Sequence, residues 1–118
     1  MMRAVITVSV EQFEELVSDA LDAIPAGLRT AMENVAVLVD DASPPGPLFG
    51  LYEGVPLTSR GNNYSAAMPD RITIFMATIC GACRSDAEVV DLVRKTVVHE
   101  VGHHFGLGEA RLEELGWA

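Results

Sequence analysis

From Ser85 to Gly106 the chain carries one unbroken helical pattern, and the rest has to fold around it. Ser85 followed three residues later by Glu88 is a capping box, which satisfies orphan backbone donors at a helix start. Val89, Leu92, Val93, Val97, Val101 and Phe105 then recur close to the helical period, and Gly106 supplies the stop. Asp86 and Glu88 complement the positive end of the helix dipole. A helix this long, with an apolar stripe from end to end, has to be buried along much of its length.

The last two turns of that helix read His99-Glu100-Val101-Gly102-His103. Helical residues four apart share a face, so His99 and His103 can offer two imidazole nitrogens to one metal ion. Glu100, one step round, can reach a water on such an ion without ligating the metal itself. Two ligands and one acid in this order are the working geometry of a zinc hydrolase. The pentapeptide is short, and its weight comes from its place on a well-started, buried helix.

Gly106 adds to the pattern, because glycine reaches positive φ at little cost and can reverse the chain. A turn there would return Glu109 to the metal, giving three protein ligands (His99, His103 and Glu109) and one open position. The alternative makes Gly106 an ordinary helix stop and Glu109 a solvated acid of a short C-terminal helix. Glu113, one turn further on, is a weaker substitute. His104 points about 100° away from His103, so it is expected at the cleft edge or in solvent.

His99 to Glu109 resembles the extended zincin signature, His-Glu-x-x-His-x-x-Gly-x-x-His/Asp. The chain as a whole is similar to the small bacterial zincin-like metallopeptidases called minimal zincins. Gly50 to Arg60, Pro69 to Ile74 and Leu112 to Trp117 also look like theirs, so the likeness covers most of residues 35 to 118. The resemblance implies a mixed sheet, an active-site helix beneath it, and peptide-bond hydrolysis. By position it makes His99, His103 and Glu109 ligands of a single Zn2+ and Glu100 the general base acting on a zinc-activated water. Two departures stand out. Glu109 replaces the more usual histidine or aspartate, lengthening the third ligand by a methylene. The methionine-bearing turn of larger metzincins has no counterpart after Glu109. Trp117 is the large aromatic there, either a floor under the metal or an ordinary core residue. Tyr52, Arg60, Tyr64 and His104 are candidates to stabilise an oxyanion.

Cys80 and Cys83 open a rival reading. Taken with the histidines they spell Cys-x2-Cys-x15-His-x3-His, near the spacing of a structural Cys2His2 zinc site, which would leave no catalytic position. Such a site has no use for Glu100, Gly106 or Glu109, and its histidine helix is usually short and basic. A redox pair is a further alternative. Two reduced thiols at a strand-to-helix turn is the expectation in a reducing compartment. A third class of reading is a zincin-shaped domain that binds peptides or a partner with weak catalysis or none.

Composition narrows the setting. A formal net charge of −9 repels a phosphate backbone, which argues against nucleic acid and weakly favours cationic peptides. Forty-nine per cent apolar residues argues against disorder. No apolar run is long enough to cross a membrane, and Met1 to Val10 lacks the form of a signal peptide, so a cytoplasmic protein is expected. A peptide or protein substrate is the expected partner, and open strand edges could support a homodimer.

The remaining pattern fixes the fold class. Ser9 with Gln12 starts a helix whose buried face is Phe13, Leu16, Val17, Ala20, Leu21 and Ile24, ended by Pro25 and Gly27. Leu28 to Glu33 reads as further helical turns. Ala4 to Val8 reads as a short strand, and Val35 to Val39 as a central one. Five of the six prolines and four glycines fall between Pro44 and Pro69, which excludes a long helix there. Leu48 to Tyr52 and Ile72 to Ile79 are the other strands, and Ile72 to Met76 or Leu48 to Tyr52 could pair with an extended substrate beside the cleft. The expectation is one zincin-like α+β domain over residues 1–118, with a small mixed sheet packed on an N-terminal helix and a long active-site helix, and a short C-terminal helix.

Overall fold

The computed structural model describes residues 8–32, 35–41, 48–55 and 70–115. Helix α1 (Val10–Asp22) begins at Ser9, whose hydroxyl accepts from the Gln12 N–H at 3.1 Å while the Gln12 side chain accepts from the Ser9 N–H at 2.9 Å. Its Phe13, Val17 and Ala20 are buried, and Ile24 continues the same face. Helix α2 (Ala26–Ala31) starts from Pro25, whose fixed φ suits the entry to a helix.

Strands β1 (Val35–Asp40), β2 (Gly50–Glu53) and β3 (Asp70–Phe75) form a mixed sheet in the order β1-β3-β2. β3 is parallel to β1, with Val35 opposite Asp70, and antiparallel to β2, with Tyr52 opposite Ile72. The centre is therefore β3; among the described residues β1 is an edge strand, although its apolar run reads as a central one. β3 alternates as a half-buried strand should: Asp70, Ile72 and Ile74 face inward, while Arg71 turns out and pairs with its cross-strand neighbour Glu53 at 2.9 Å.

Helix α3 (Met76–Ala82) replaces the second half of the strand expected over Ile72–Ile79. Phe75, Ile79 and Cys83 are all buried and recur every four residues, a helical spacing that a short apolar run conceals. Helix α4 (Asp86–His104) starts at Ser85, whose hydroxyl accepts from the Glu88 N–H at 3.2 Å. Glu88 reaches back one residue further than a reciprocal box requires, accepting from the Arg84 N–H at 3.0 Å. α4 packs on α1 and on the inner faces of β2 and β3, and Val89, Val93, Val97 and Val101 join Phe13, Ile72, Ile74 and Ile79 in one core. Helix α5 (Glu109–Leu115) closes the described chain, with Leu112 buried. Among the described residues no helix is long and apolar enough to cross a membrane. The architecture is α+β, with the long helix beneath a small mixed sheet as expected from the sequence. Positions 4–7 of the strand expected over Ala4 to Val8 lie outside the described residues, as do Arg60, Tyr64 and Trp117.

Candidate metal centre

The end of α4 determines the site. Gly106 takes φ +85°, and its N–H donates to the His103 carbonyl at 2.9 Å while the Leu107 N–H donates to the Gly102 carbonyl at 3.0 Å. These two bonds make a Schellman motif, which needs a left-handed residue where Gly106 stands. The reversal brings α5 back over the last turns of α4 with Glu109 as its first residue.

Three donor atoms meet as a result. His99 Nε2 and His103 Nε2 are 3.2 Å apart, and Glu109 Oε1 lies 3.1 Å from the first and 3.0 Å from the second. Among the described residues this is the group of histidine, cysteine and acidic side chains close enough together to hold one metal ion. Two imidazole nitrogens and a carboxylate oxygen are the donor chemistry that zinc takes in catalytic sites, with a coordination position left over. The fit extends to the support: His103 Nδ1 lies 3.0 Å from the Leu107 carbonyl, which can only accept. A proton on Nδ1 satisfies that carbonyl and leaves the Nε2 lone pair for a metal ion shared with His99 and Glu109. The Schellman turn thus places Glu109 and orients His103 together. Glu109 approaches from solvent, its side chain 68% exposed, and it both heads a short helix and lies within reach of the two histidines. Glu113 is on the exposed surface of α5 and outside the group.

Glu100 sits beside this group with 7% of its surface exposed. Burial pushes its carboxyl above the usual range; His99 and His103 work against that shift, Glu109 with it, and the Tyr52 backbone N–H, donating to the carboxylate, against it. Gly50 lets β2 come this close. A Cβ there would lie 2.8 Å from the Thr96 methyl and 3.1 Å from Glu100 Cγ. Between β2, α4 and the Gly106 turn runs a cleft of about 540 Å³, lined by Leu48, Tyr52, His99, Glu100, Leu107 and Glu109 among others.

His104 is corrected by the structure. It is completely buried, and its Nδ1 lies 3.1 Å from Asp70 Oδ2, the oxygen that accepts from the Tyr52 hydroxyl at 2.6 Å. The same carboxylate accepts from the Val55 N–H at 3.3 Å. The helix turns His104 toward the sheet because the metal group occupies the neighbouring face. Tyr52 and His104, both oxyanion candidates from the sequence, instead tie β2 and α4 to the head of β3. Asp70 is the residue missed; an acid opening a strand whose next alternate residues are buried apolar ones was the available signal. The Leu107 carbonyl, a backbone group, has no side-chain signature.

The thiols do not join the histidines. Cys80 and Cys83 are free, at the end of α3, in a helix-to-helix turn and outside the metal group. Burial, with the nearby Asp86 for Cys80 and with Glu88 and Cys80 for Cys83, pushes both thiols up and away from the thiolate form that binds metal. In this arrangement the donor group near the histidines is completed by Glu109 and not by the thiols. No curated protein matches the chain. A family model described as zincin-like metallopeptidase matches residues 32–117, a span that contains the whole sheet, α4 and every donor of the group. The chain belongs to the zincin-like metallopeptidase family.

Proposed function

We propose that the protein is a zinc-dependent metallopeptidase that hydrolyses peptide bonds in peptide or protein substrates, with His99, His103 and Glu109 holding one Zn2+ and Glu100 as general base. The observation that carries the reading is the meeting of three donor atoms beside a buried carboxylate in an open cleft. A zinc ion bound there supplies Lewis-acid chemistry, polarising water and a carbonyl oxygen.

Everything else falls to the chain's own groups. Glu100 takes a proton from the attacking water at its carboxylate and returns it to the leaving amine. Its raised affinity for a proton, a product of burial, makes it a stronger base than a solvated glutamate. The Leu107 carbonyl holds the His103 tautomer. β2 is an edge strand among the described residues, and the Phe75 N–H bond to the Phe49 carbonyl sets the phase of its ladder. By alternation, Leu51 points its backbone groups at β3 while Gly50 and Tyr52 point theirs at the open edge. The Tyr52 N–H is taken by Glu100, which leaves the Gly50 N–H and carbonyl to pair with an extended substrate. Of the two strands that could border the cleft, β2 is the one with that open edge.

The test is metal stoichiometry on native and His103→Ala protein, alongside a peptide-library cleavage assay. One zinc per chain, lost in the variant, together with zinc-dependent cleavage supports the reading. Bound zinc without cleavage turns it toward a peptide-binding scaffold, and no bound zinc overturns it.

A further inference from the structure

The Asp70 carboxylate, 2% exposed, is where three parts of the chain are tied together. Its Oδ2 accepts from the Tyr52 hydroxyl at 2.6 Å and lies 3.1 Å from His104 Nδ1, while Oδ1 accepts from the Val55 N–H at 3.3 Å. The chain at Gly54 passes so close that a Cβ there would run into the same carboxylate. The end of β2 and the end of α4 are thus both seated on the first residue of β3.

Each of those two ends carries half of the surroundings of Glu100. His104 stands four residues after Glu100, one turn further along α4, and directly follows His103. Tyr52 meets Glu100 from the strand side, where its backbone N–H donates to the carboxylate. Gly50, two residues earlier on the same face of β2, is equally close: a Cβ there would stand 3.1 Å from Glu100 Cγ. The links close a ring. It runs from Glu100 along the helix to His104, across to Asp70, on to the Tyr52 hydroxyl, and back through the Tyr52 N–H to Glu100. Tyr52 is therefore held at both ends, and the tie that fixes its side chain also fixes where its N–H points. The last torsion of a glutamate is broad and roughly two-fold, so an unrestrained carboxylate offers either oxygen in turn. An N–H held in place removes that freedom.

Resting on the peptidase reading, we propose that Asp70 is a positioning residue for the general base: acting through Tyr52 and His104, it fixes the Glu100 carboxylate with one oxygen on the strand and the other turned to the water it deprotonates. Asp70 does not line the cleft, so its effect on turnover travels through the two elements it ties. A misplacement of about 1 Å costs on the order of 100-fold in rate. Turnover is therefore more sensitive to this tie than folding stability, where one hydrogen bond contributes about 1 kcal/mol.

The test uses Tyr52→Phe, which removes one hydroxyl, and Asp70→Asn, which keeps the volume but offers one acceptor oxygen where the carboxylate offers two. In zinc-loaded protein, kcat per bound zinc should fall about ten-fold in each, with KM and zinc content little changed. The double variant should be no slower than Asp70→Asn, because both changes cut the same tie. Hydrogen exchange reads the position itself, with and without zinc. The residue 52 amide, which faces Glu100, should exchange about ten-fold faster in Tyr52→Phe, while the Leu51 amide, which faces β3, keeps its wild-type rate. If Asp70→Asn does not fold, Tyr52→Phe carries the test alone. Normal cleavage with an unchanged residue 52 amide in Tyr52→Phe overturns the positioning role and spares the peptidase reading. Equal loosening of both amides also overturns it, since the tie then serves the fold alone. Losses that multiply in the double variant do the same, by putting the Tyr52 hydroxyl on the substrate. No cleavage by the wild-type protein, with the residue 52 amide still answering to the hydroxyl, defeats the peptidase reading and keeps Asp70 as the residue that positions Glu100.

Discussion

His104 Nδ1 lies 3.1 Å from the Asp70 carboxylate although 34 residues separate them, and neither side chain is open to solvent. This contact pins the last turn of α4, which carries His103, to the central strand of the sheet. Asp70→Ala strands a buried imidazole and the Tyr52 hydroxyl without their acceptor. The loss expected is about 3 kcal/mol of folding free energy, read as a lower urea midpoint at unchanged slope.

Gly106→Ala tests the turn. A β-carbon at φ +85° is strained by roughly 1 kcal/mol, and the turn that places both Glu109 and the Leu107 carbonyl has to shift. Zinc affinity should fall by about ten-fold, the usual scale for disturbing the partner of a ligating histidine. Competition against a chromophoric chelator measures it; unaltered affinity would detach Gly106 from the site.

Gly50→Ala tests the approach of β2 to α4. The added methyl meets the Thr96 methyl at 2.8 Å and the Glu100 side chain at 3.1 Å, so strand or helix has to move. Overpacking of this kind costs roughly 1–3 kcal/mol. Peptide cleavage should drop more than zinc content, because the methyl presses on the base and the substrate edge and leaves the donors alone.

Glu100→Gln separates chemistry from stability. Hydrolysis should fall by at least about 100-fold with zinc retained, which cleavage assays and metal analysis report together. The metal-free protein should behave in the opposite sense. Burial raises the folded-state affinity of Glu100 for its proton, so its contribution is favourable at low pH and is lost as pH rises through that raised range. At neutral pH the buried charge is a cost that glutamine avoids. Thermal melts of the metal-free proteins should place Glu100→Gln a few degrees above wild type at neutral pH, with the gap closing on acidification.

Replacing Cys80 and Cys83 together by serine should leave zinc content unchanged, since neither thiol belongs to the donor group. Elemental analysis checks this, and a loss of zinc would restore the closed-site model.

The parts of this protein that depend on local rules were legible from the sequence. Ser9 and Ser85 announce α1 and α4 through hydroxyls that cap the next turn, and the valines of α4 keep helical period to the glycine stop. The donor group was legible for the same reason, since one helix turn and one glycine reversal bring His99, His103 and Glu109 together. What escaped depends on distant partners. Phe75 to Cys83 reads as strand or helix until its neighbours choose, and the core chose the spacing of four. The orientation of His104 depends on Asp70, and the edge position of β1 depends on which strand β3 joins. None of these is encoded within a helical turn of the residue concerned.

The two halves of the site are built over very different lengths of chain. The first and last of its donors are ten positions apart, so the loop they close is short and its entropic cost small. Glu100 gains its dry surroundings only after β2, fifty residues upstream, has docked on α4. Contacts over short separations form early in folding and distant ones late. On the proposed reading, a folding chain would therefore assemble its donor group before the surroundings of Glu100, which would wait for the sheet.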